Sequence, residues 1–177
     1  MAREPALGEP GGDLGALGWT PTFEDQSIIA LERDGTHLTL EPGGQTELSS
    51  RVHQRLGDLR DELCGYVGDL ARVARPRGIR WLGLGLHPFS RREEIAWIPK
   101  KRYRVMSEVL GRTGSLGHDM MKRTAGIQLN FDYASEEDAA RRFRLLMALA
   151  PIVTALFANS PLDGGQPTGW LSSRARV

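Results

Sequence analysis

The pattern that most restricts the fold is a pair of β-prone runs, Ser27 to Glu32 and Thr36 to Leu40, separated by a turn containing Asp34-Gly35. Asp and Gly tolerate the positive φ of a tight hairpin turn, so the chain is expected to reverse here and pair the two runs antiparallel. Immediately afterwards Glu41-Pro42-Gly43-Gly44 bends the chain again, and Gln45 to Ser49 follows in extended alternation. Side chains two apart on a strand share a face, which groups Gln45, Glu47 and Ser49.

Helical signals come next. Leu56, Leu59, Leu63, Val67, Leu70 and Val73 recur at intervals of three and four, the spacing of one helical stripe, and Pro76 and Gly78 end it. Ile79 to Leu86 is apolar and β-prone enough for a buried strand, with Gly83 and Gly85 permitting close approach. Tyr103 to Leu110 predicts a short helix, Gly111 to Gly117 a loop, and His118 to Arg123 a further turn of helix. Thr124 to Tyr133 alternates cleanly, Ile127, Leu129 and Phe131 on one side and Gly126, Gln128, Asn130 and Asp132 on the other. Ser135 and Asp138 form a capping signal for a helix that Pro151 should kink or restart, and the tail enters a strand near Val177. The sum is an α+β chain, a largely antiparallel sheet with helices on one face. Residues 1–18, rich in Gly, Pro and Ala, read as a flexible lead-in to a domain over 19–177.

Composition removes several functions. The chain has 177 residues and a formal charge of +1, from 23 basic and 22 acidic side chains, which gives no field for nucleic acid. No apolar run reaches the length of a membrane span. Cys64 is the only cysteine, which excludes an internal disulfide and suggests a reducing, cytoplasmic setting. It falls on the predicted helix among apolar neighbours, an inert position. The four histidines lack zinc spacing, GLGLH lacks the third glycine of a dinucleotide loop, and neither a GxSxG elbow nor a Walker-type loop occurs.

What remains is two strands with one apolar and one hydrogen-bonding face. Amides and acids are disfavoured in strands, so Gln45 and Glu47 on one, and Gln128, Asn130 and Asp132 on the other, suggest a polar site on a shared sheet. Carboxylate and amide oxygens suit Mg²⁺ bridging substrate phosphates, with Glu41 and Glu47 flanking the glycine turn as ligands. Arg123 and Arg174 are candidates for bidentate recognition of phosphate or carboxylate.

Longer segments then become recognisable: LEPGGQTELS (Leu40 to Ser49), IPKKRYRVM (Ile98 to Met106), GSLGHDMMKRTAGIQLNFDYASEEDAARRFR (Gly114 to Arg144) and LAPIVTALFANSPLDGGQPTGWLSSR (Leu149 to Arg174). Together, from about Trp19 onward, they resemble the plant and proteobacterial type of glutamate–cysteine ligase. The resemblance implies a partial catalytic domain similar to that of glutamine synthetase, using ATP and Mg²⁺ to join L-glutamate to L-cysteine through γ-glutamyl phosphate, the first step of glutathione synthesis. It implies Glu41 and Glu47 as metal ligands, Gln45, Gln128 and Asn130 as cofactor-pocket groups, and Arg123 and Arg174 as catalytic anion-binding residues.

Two departures temper the expectation. Family members carry an acidic EhEK strand upstream of the hairpin, which 1–18 lacks, and much of their catalytic domain follows the position of Val177. The chain alone is therefore expected to be inactive. The other readings are a carboxylate–amine ligase with a different amine acceptor, and a non-catalytic interaction module.

Overall fold

The computed structural model describes residues 13–25 and 27–177. The chain divides into two compact units, one running to Leu82 and resuming over Ile95–Lys122, the other comprising Gly83–Glu94 and Arg123–Val177.

The first unit is built on a four-stranded antiparallel meander, β1 (Thr20–Glu24), β2 (Ser27–Arg33), β3 (Thr36–Leu40) and β4 (Thr46–Ser49), in that spatial order. The β2–β3 reversal has positive φ at both Asp34 (52°) and Gly35 (78°), as a two-residue turn between right-twisted strands requires. β1 is not legible in the sequence, because Pro21 and a bulge between Thr22 and Phe23 break its alternation; both are tolerated at a sheet edge.

One face of the meander is apolar. Leu31 and Leu38 pack with Leu70 and Val73 of α1 (Leu56–Ala74), and with Leu14 and Trp19. Burying Leu38 completely contributes roughly 2 kcal/mol. Leu14, 3% exposed, precedes a 3-10 turn over Gly15–Leu17. The packed chain therefore starts inside the expected 1–18 lead-in, whose residues 1–12 lie outside the described ones.

The inward face of α1 is not simply the apolar stripe. Asp69 turns toward the sheet, 2.7 Å from the Arg33 guanidinium, and accepts from the Trp19 indole at 3.3 Å, while Arg33 stacks 4.4 Å over that ring. Leu56, Leu63 and Val67 are exposed, as is Cys64, which is not among the apolar packing that its neighbours suggest. The helix ends where Pro76 and Gly78 (φ 67°) lead one to expect.

A polar clasp joins α1 to β3. Glu62 accepts from the Thr36 hydroxyl and lies 2.6 Å from His53 Nε2, with Arg51 nearby. Burial alone would raise the Glu62 pKa, but the bonds from Thr36 and His53 and the charges of His53 and Arg51 outweigh it and hold the carboxyl below its usual value. A depressed carboxylate pKa stabilises the fold above the unfolded value, and that contribution disappears as pH falls through the folded value. Thermal melts should therefore lose stability below pH 4.5, the ordinary glutamate value. Glu62→Gln should flatten that part of the profile; an unchanged slope would assign it to another group.

The same unit holds α2 (Lys101–Thr113), which extends through part of the predicted loop, and most of α3 (Gly117–Arg123). Trp97 meets His118 edge to face at 5.4 Å between ring centroids.

In the second unit α4 (Glu136–Leu156) starts where the Ser135 hydroxyl accepts from Asp138 N–H at 3.2 Å, and it runs through Pro151 as one element. Arg141 and Arg142 each donate to the Asp138 carboxylate at 2.7 Å, and these bonds bring its pKa down to about 2. β5 (Leu162–Asp163) and β6 (Gln166–Pro167) form a small hairpin turned by Gly164 and Gly165. The tail forms a 3-10 turn over Ser173–Arg176 rather than the expected strand.

Two further expectations need correction. Ile79 to Leu86 and Thr124 to Tyr133 are not ladder strands; they share only a bridge between Leu86 and Thr124, flanked by His87 N–H to Arg123 O at 2.7 Å and Ala125 N–H to Gly85 O at 3.1 Å. Ile127 is 82% exposed and Trp81 and Leu82 are also exposed. Alternation alone cannot make a strand, because its backbone groups need a neighbouring strand to satisfy them, and among the described residues none lies alongside. The α+β class stands as mixed helix and antiparallel sheet, but Glu47 and Gln128 do not share a sheet. No helix among the described residues is long and apolar enough to cross a membrane.

Candidate functional site

The outer face of the meander carries the acidic residues. β3 and β4 pair Thr39 with Glu47, and strand alternation puts both opposite the buried Leu38 and Leu40. Where β3 ends, Glu41 opens the glycine turn, its N–H bonded to Gln45 O and its carbonyl accepting from Gly44, both at 2.8 Å.

That turn is clamped from two directions. Gln45 Oε1 accepts from Gly43 N–H at 2.8 Å, and its Nε2 donates to Met121 O at 3.0 Å, so this amide serves the backbone of the turn. Pro42 O accepts from Ile98 N–H at 2.9 Å. Gly43 packs directly on the Lys122 backbone, whose carbonyl oxygen would lie 2.1 Å from a β-carbon at this position.

The start of α2 faces Glu41. Lys100, buried, donates through Nζ to Leu40 O at 2.8 Å. The Tyr103 hydroxyl lies 3.0 Å from Leu40 O and 3.2 Å from Glu41 Oε1, and receives Arg102 N–H at 2.7 Å. Arg102 is also 3.5 Å from Glu41 Oε1. Burial and the neighbouring Arg102 lower the Lys100 pKa, against the opposing charges of Glu41, Glu24 and Glu47. The hydrogen bond to Tyr103 raises that of Arg102, which also feels Glu41 and Glu47. The two proposed metal ligands thus act on the same pair of cations.

Glu41 and Glu47 offer carboxylate oxygens, the donor type that a hard divalent ion takes. Glu41 Oε2 and the Glu47 carboxylate make no hydrogen bond among the described residues. No group of three or more His, Cys, Asp or Glu side chains poised for a metal occurs among those residues. Mg²⁺ commonly takes only one or two carboxylates and completes its shell with phosphate and water.

In the second unit Arg123 is 7% exposed, pairs with Asp163 on β5 and reaches His87 O at 3.5 Å. His87 is held below its ordinary pKa by burial and by Arg123; its Nδ1 accepts from Ser90 N–H at 3.1 Å. Arg174 is different. Its N–H donates to Ser160 Oγ at 3.0 Å, and its side chain crosses Gly85 and Gly126, where β-carbons would come within 3.3 and 3.2 Å of it. Its guanidinium has no acidic partner among the described residues. Gln128 and Asn130 follow on an exposed segment without regular secondary structure.

Lys100, Arg102, Tyr103 and Asp163 belong to these clusters and were not singled out by sequence patterning. The run IPKKRY, concentrating cations and a tyrosine before a helix, is the signal that could have found the first three.

A model of glutamate-cysteine ligase family 2 (GCS2) matches residues 6–177. Relatives include the chloroplastic glutamate–cysteine ligases of Brassica juncea and Arabidopsis thaliana, each 43% identical over 90% of this chain. Chloroplastic glutamate–cysteine ligase A of Oryza sativa subsp. japonica is 40% identical over the same share. The chain spans 31%, 30% and 32% of these relatives. These relatives are named chloroplastic, which overturns the cytoplasmic expectation: one unpaired cysteine speaks to a reducing environment, which is not unique to the cytoplasm.

Proposed function

Because the chain belongs to glutamate-cysteine ligase family 2, we propose that it supplies metal- and anion-binding residues of an ATP-dependent ligase joining the γ-carboxylate of L-glutamate to the amine of L-cysteine. The observation that carries this reading is the pair of carboxylates, Glu47 on the outer sheet face and Glu41 in the glycine turn after β3, that both act on Lys100 and Arg102. A glutamine-synthetase-like catalytic domain is the architecture proposed for the ligase.

In this reading the γ-carboxylate oxygen of glutamate attacks the γ-phosphorus of ATP and ADP leaves. The cysteine amine then attacks the γ-glutamyl phosphate, inorganic phosphate departs, and the nitrogen loses a proton. Mg²⁺, when bound, would offset negative charge on the transferring phosphoryl group. Glu41 and Glu47 would hold it, and the glycine turn fixed by Gln45 keeps their backbones in place. Arg102 would meet phosphate oxygens. Arg174 would take an anionic group of the substrate, with Gln128 and Asn130 contributing to the cofactor or glutamate pocket. Arg123, held by its pairing with Asp163, would serve the same anion-binding task.

The test is the active ligase that carries these residues, supplied with ATP, Mg²⁺, glutamate and an equal mixture of cysteine and other small amines, with products separated by mass. Preferential γ-glutamylcysteine, dependent on ATP and metal, supports the reading, and preference for another amine replaces the acceptor. Arg174→Ala in the active ligase should raise the KM for glutamate or ATP roughly 10- to 100-fold, the loss of a charge-assisted contact. Unchanged constants for both would remove Arg174 from the site.

A further inference from the structure

Tyr103 occupies an unusual place in this cluster. It is among the most fully enclosed side chains of the described residues, 2% exposed, yet its hydroxyl meets a main-chain carbonyl, a carboxylate and a guanidinium. A phenol has one hydrogen to give. Arg102 donates to the phenolic oxygen and so leaves that hydrogen to be directed elsewhere. Of its two acceptors, Leu40 O at 3.0 Å is a neutral carbonyl that also receives the Lys100 ammonium at 2.8 Å, which makes it the weaker competitor for the phenol hydrogen. Glu41 Oε1, at 3.2 Å, is a charged acceptor whose other donors, Arg102 and the Thr39 hydroxyl, both stand further off at 3.5 Å.

We propose that Tyr103 is a positioning residue that fixes the Glu41 carboxylate, with Lys100 and Arg102 directing its hydroxyl hydrogen toward Oε1. Arg102 and the Thr39 hydroxyl, each 3.5 Å from that same oxygen, reinforce the hold. With Oε1 engaged on the protein side, Oε2 is the oxygen left to meet a cation. The aromatic ring is anchored by its burial, and cations lie over it, Arg102 at 4.7 Å and Lys100 at 5.3 Å from its centroid. The hydroxyl is therefore a fixed point, whereas a free glutamate has three rotatable bonds to order whenever it binds an ion. Partners that orient a ligand in this way typically change metal affinity about 10- to 100-fold when removed.

The inference rests on the proposed role of Glu41 as a metal ligand, and the experiment separates the two. Manganese(II) alone is titrated into the full chain and free ion is followed by electron paramagnetic resonance, for the unsubstituted protein and for Glu41→Gln, Tyr103→Phe and the double variant. Tyr103→Phe keeps the buried ring and deletes the hydroxyl. Weakening of roughly 10-fold is expected for Tyr103→Phe, a larger loss for Glu41→Gln, and no additional loss in the double variant. Normal affinity in Tyr103→Phe alongside weakened Glu41→Gln overturns the positioning role and leaves the ligand intact. Additive losses overturn it as well, because Tyr103 would then act independently of Glu41. Absence of binding by the unsubstituted chain, or unchanged binding in Glu41→Gln, defeats the reading of Glu41 itself. Should Tyr103→Phe fail to fold, Arg102→Met on an exposed side chain replaces it: weakened binding supports the proposal, and unchanged binding overturns it.

Discussion

Replacing Glu47 with glutamine in the active ligase should lower Mg²⁺-dependent turnover on the order of 10²-fold, with unfolding temperature nearly unchanged. The two halves of that expectation have separate causes. Glu47 stands exposed on β4, opposite Thr39, with no hydrogen bond among the described residues, so removing its charge creates neither a cavity nor an orphaned partner. Surface changes of this kind stay within roughly 0.5 kcal/mol. A ligand to the ion that offsets phosphoryl charge is worth several kcal/mol in the transition state, and glutamine supplies a neutral oxygen in its place. Steady-state rates across a range of Mg²⁺, with a melting curve for each protein, check both halves. Unaltered turnover at low Mg²⁺ would take Glu47 out of direct metal contact, and a large loss of stability would show that its role is structural.

The second large effect is on folding. Gly43→Ala should destabilise the protein by roughly 3 kcal/mol, at the upper end for forced overpacking. A β-carbon there would lie 2.1 Å from the Lys122 carbonyl oxygen and 2.8 Å from its carbonyl carbon and Cα. All three are backbone atoms, so no rotamer change relieves the clash, and either the glycine turn or the end of α3 must move. At about 2 to 4 °C per kcal/mol for a chain of this size, the melting point should drop by about 6 to 12 °C. Gly68→Ala is the control. Gly68 lies within α1 and nothing is within 4 Å of its β-carbon position, so alanine should stabilise the helix by roughly 0.5 to 1 kcal/mol. Equal melting points for the two variants would refute the packing of the turn on Lys122.

How much of this was legible in the sequence depends on the range of the interaction. The β2–β3 hairpin, the end of α1 at Pro76 and Gly78, and the Ser135 cap of α4 were readable, because each is decided by the φ preferences or hydrogen-bonding side chains of a few adjacent residues. The outward position of Glu47 also followed from local alternation, which puts it on the face opposite the core. The segments bearing the resemblance identified the family for the same reason: a long ordered set of local motifs suffices for kinship without knowledge of contacts.

Tertiary structure decided the rest. Alternation marked Thr124 to Tyr133 as a strand, yet a ladder needs a second backbone alongside, and only the bridge from Thr124 to Leu86 forms. The stripe of leucines gave α1 its helix but not its inward face, which Asp69 takes by meeting Arg33 and Trp19 from distant parts of the chain. Gln45 reads as a site amide because it alternates with Glu47; its contact to Met121, 76 residues away, which helps hold the turn, is visible only in the fold. Arg123 reads from the sequence as an anion-binding candidate, and only the fold brings Asp163 against it. Most clearly, Lys100, Arg102 and Tyr103 surround Glu41 from about 60 residues further along the chain. Local sequence determines what each segment can form and which side chains share a face, since those depend on adjacent dihedrals; which charges meet depends on chain closure over long separations, and only the packed structure settles that.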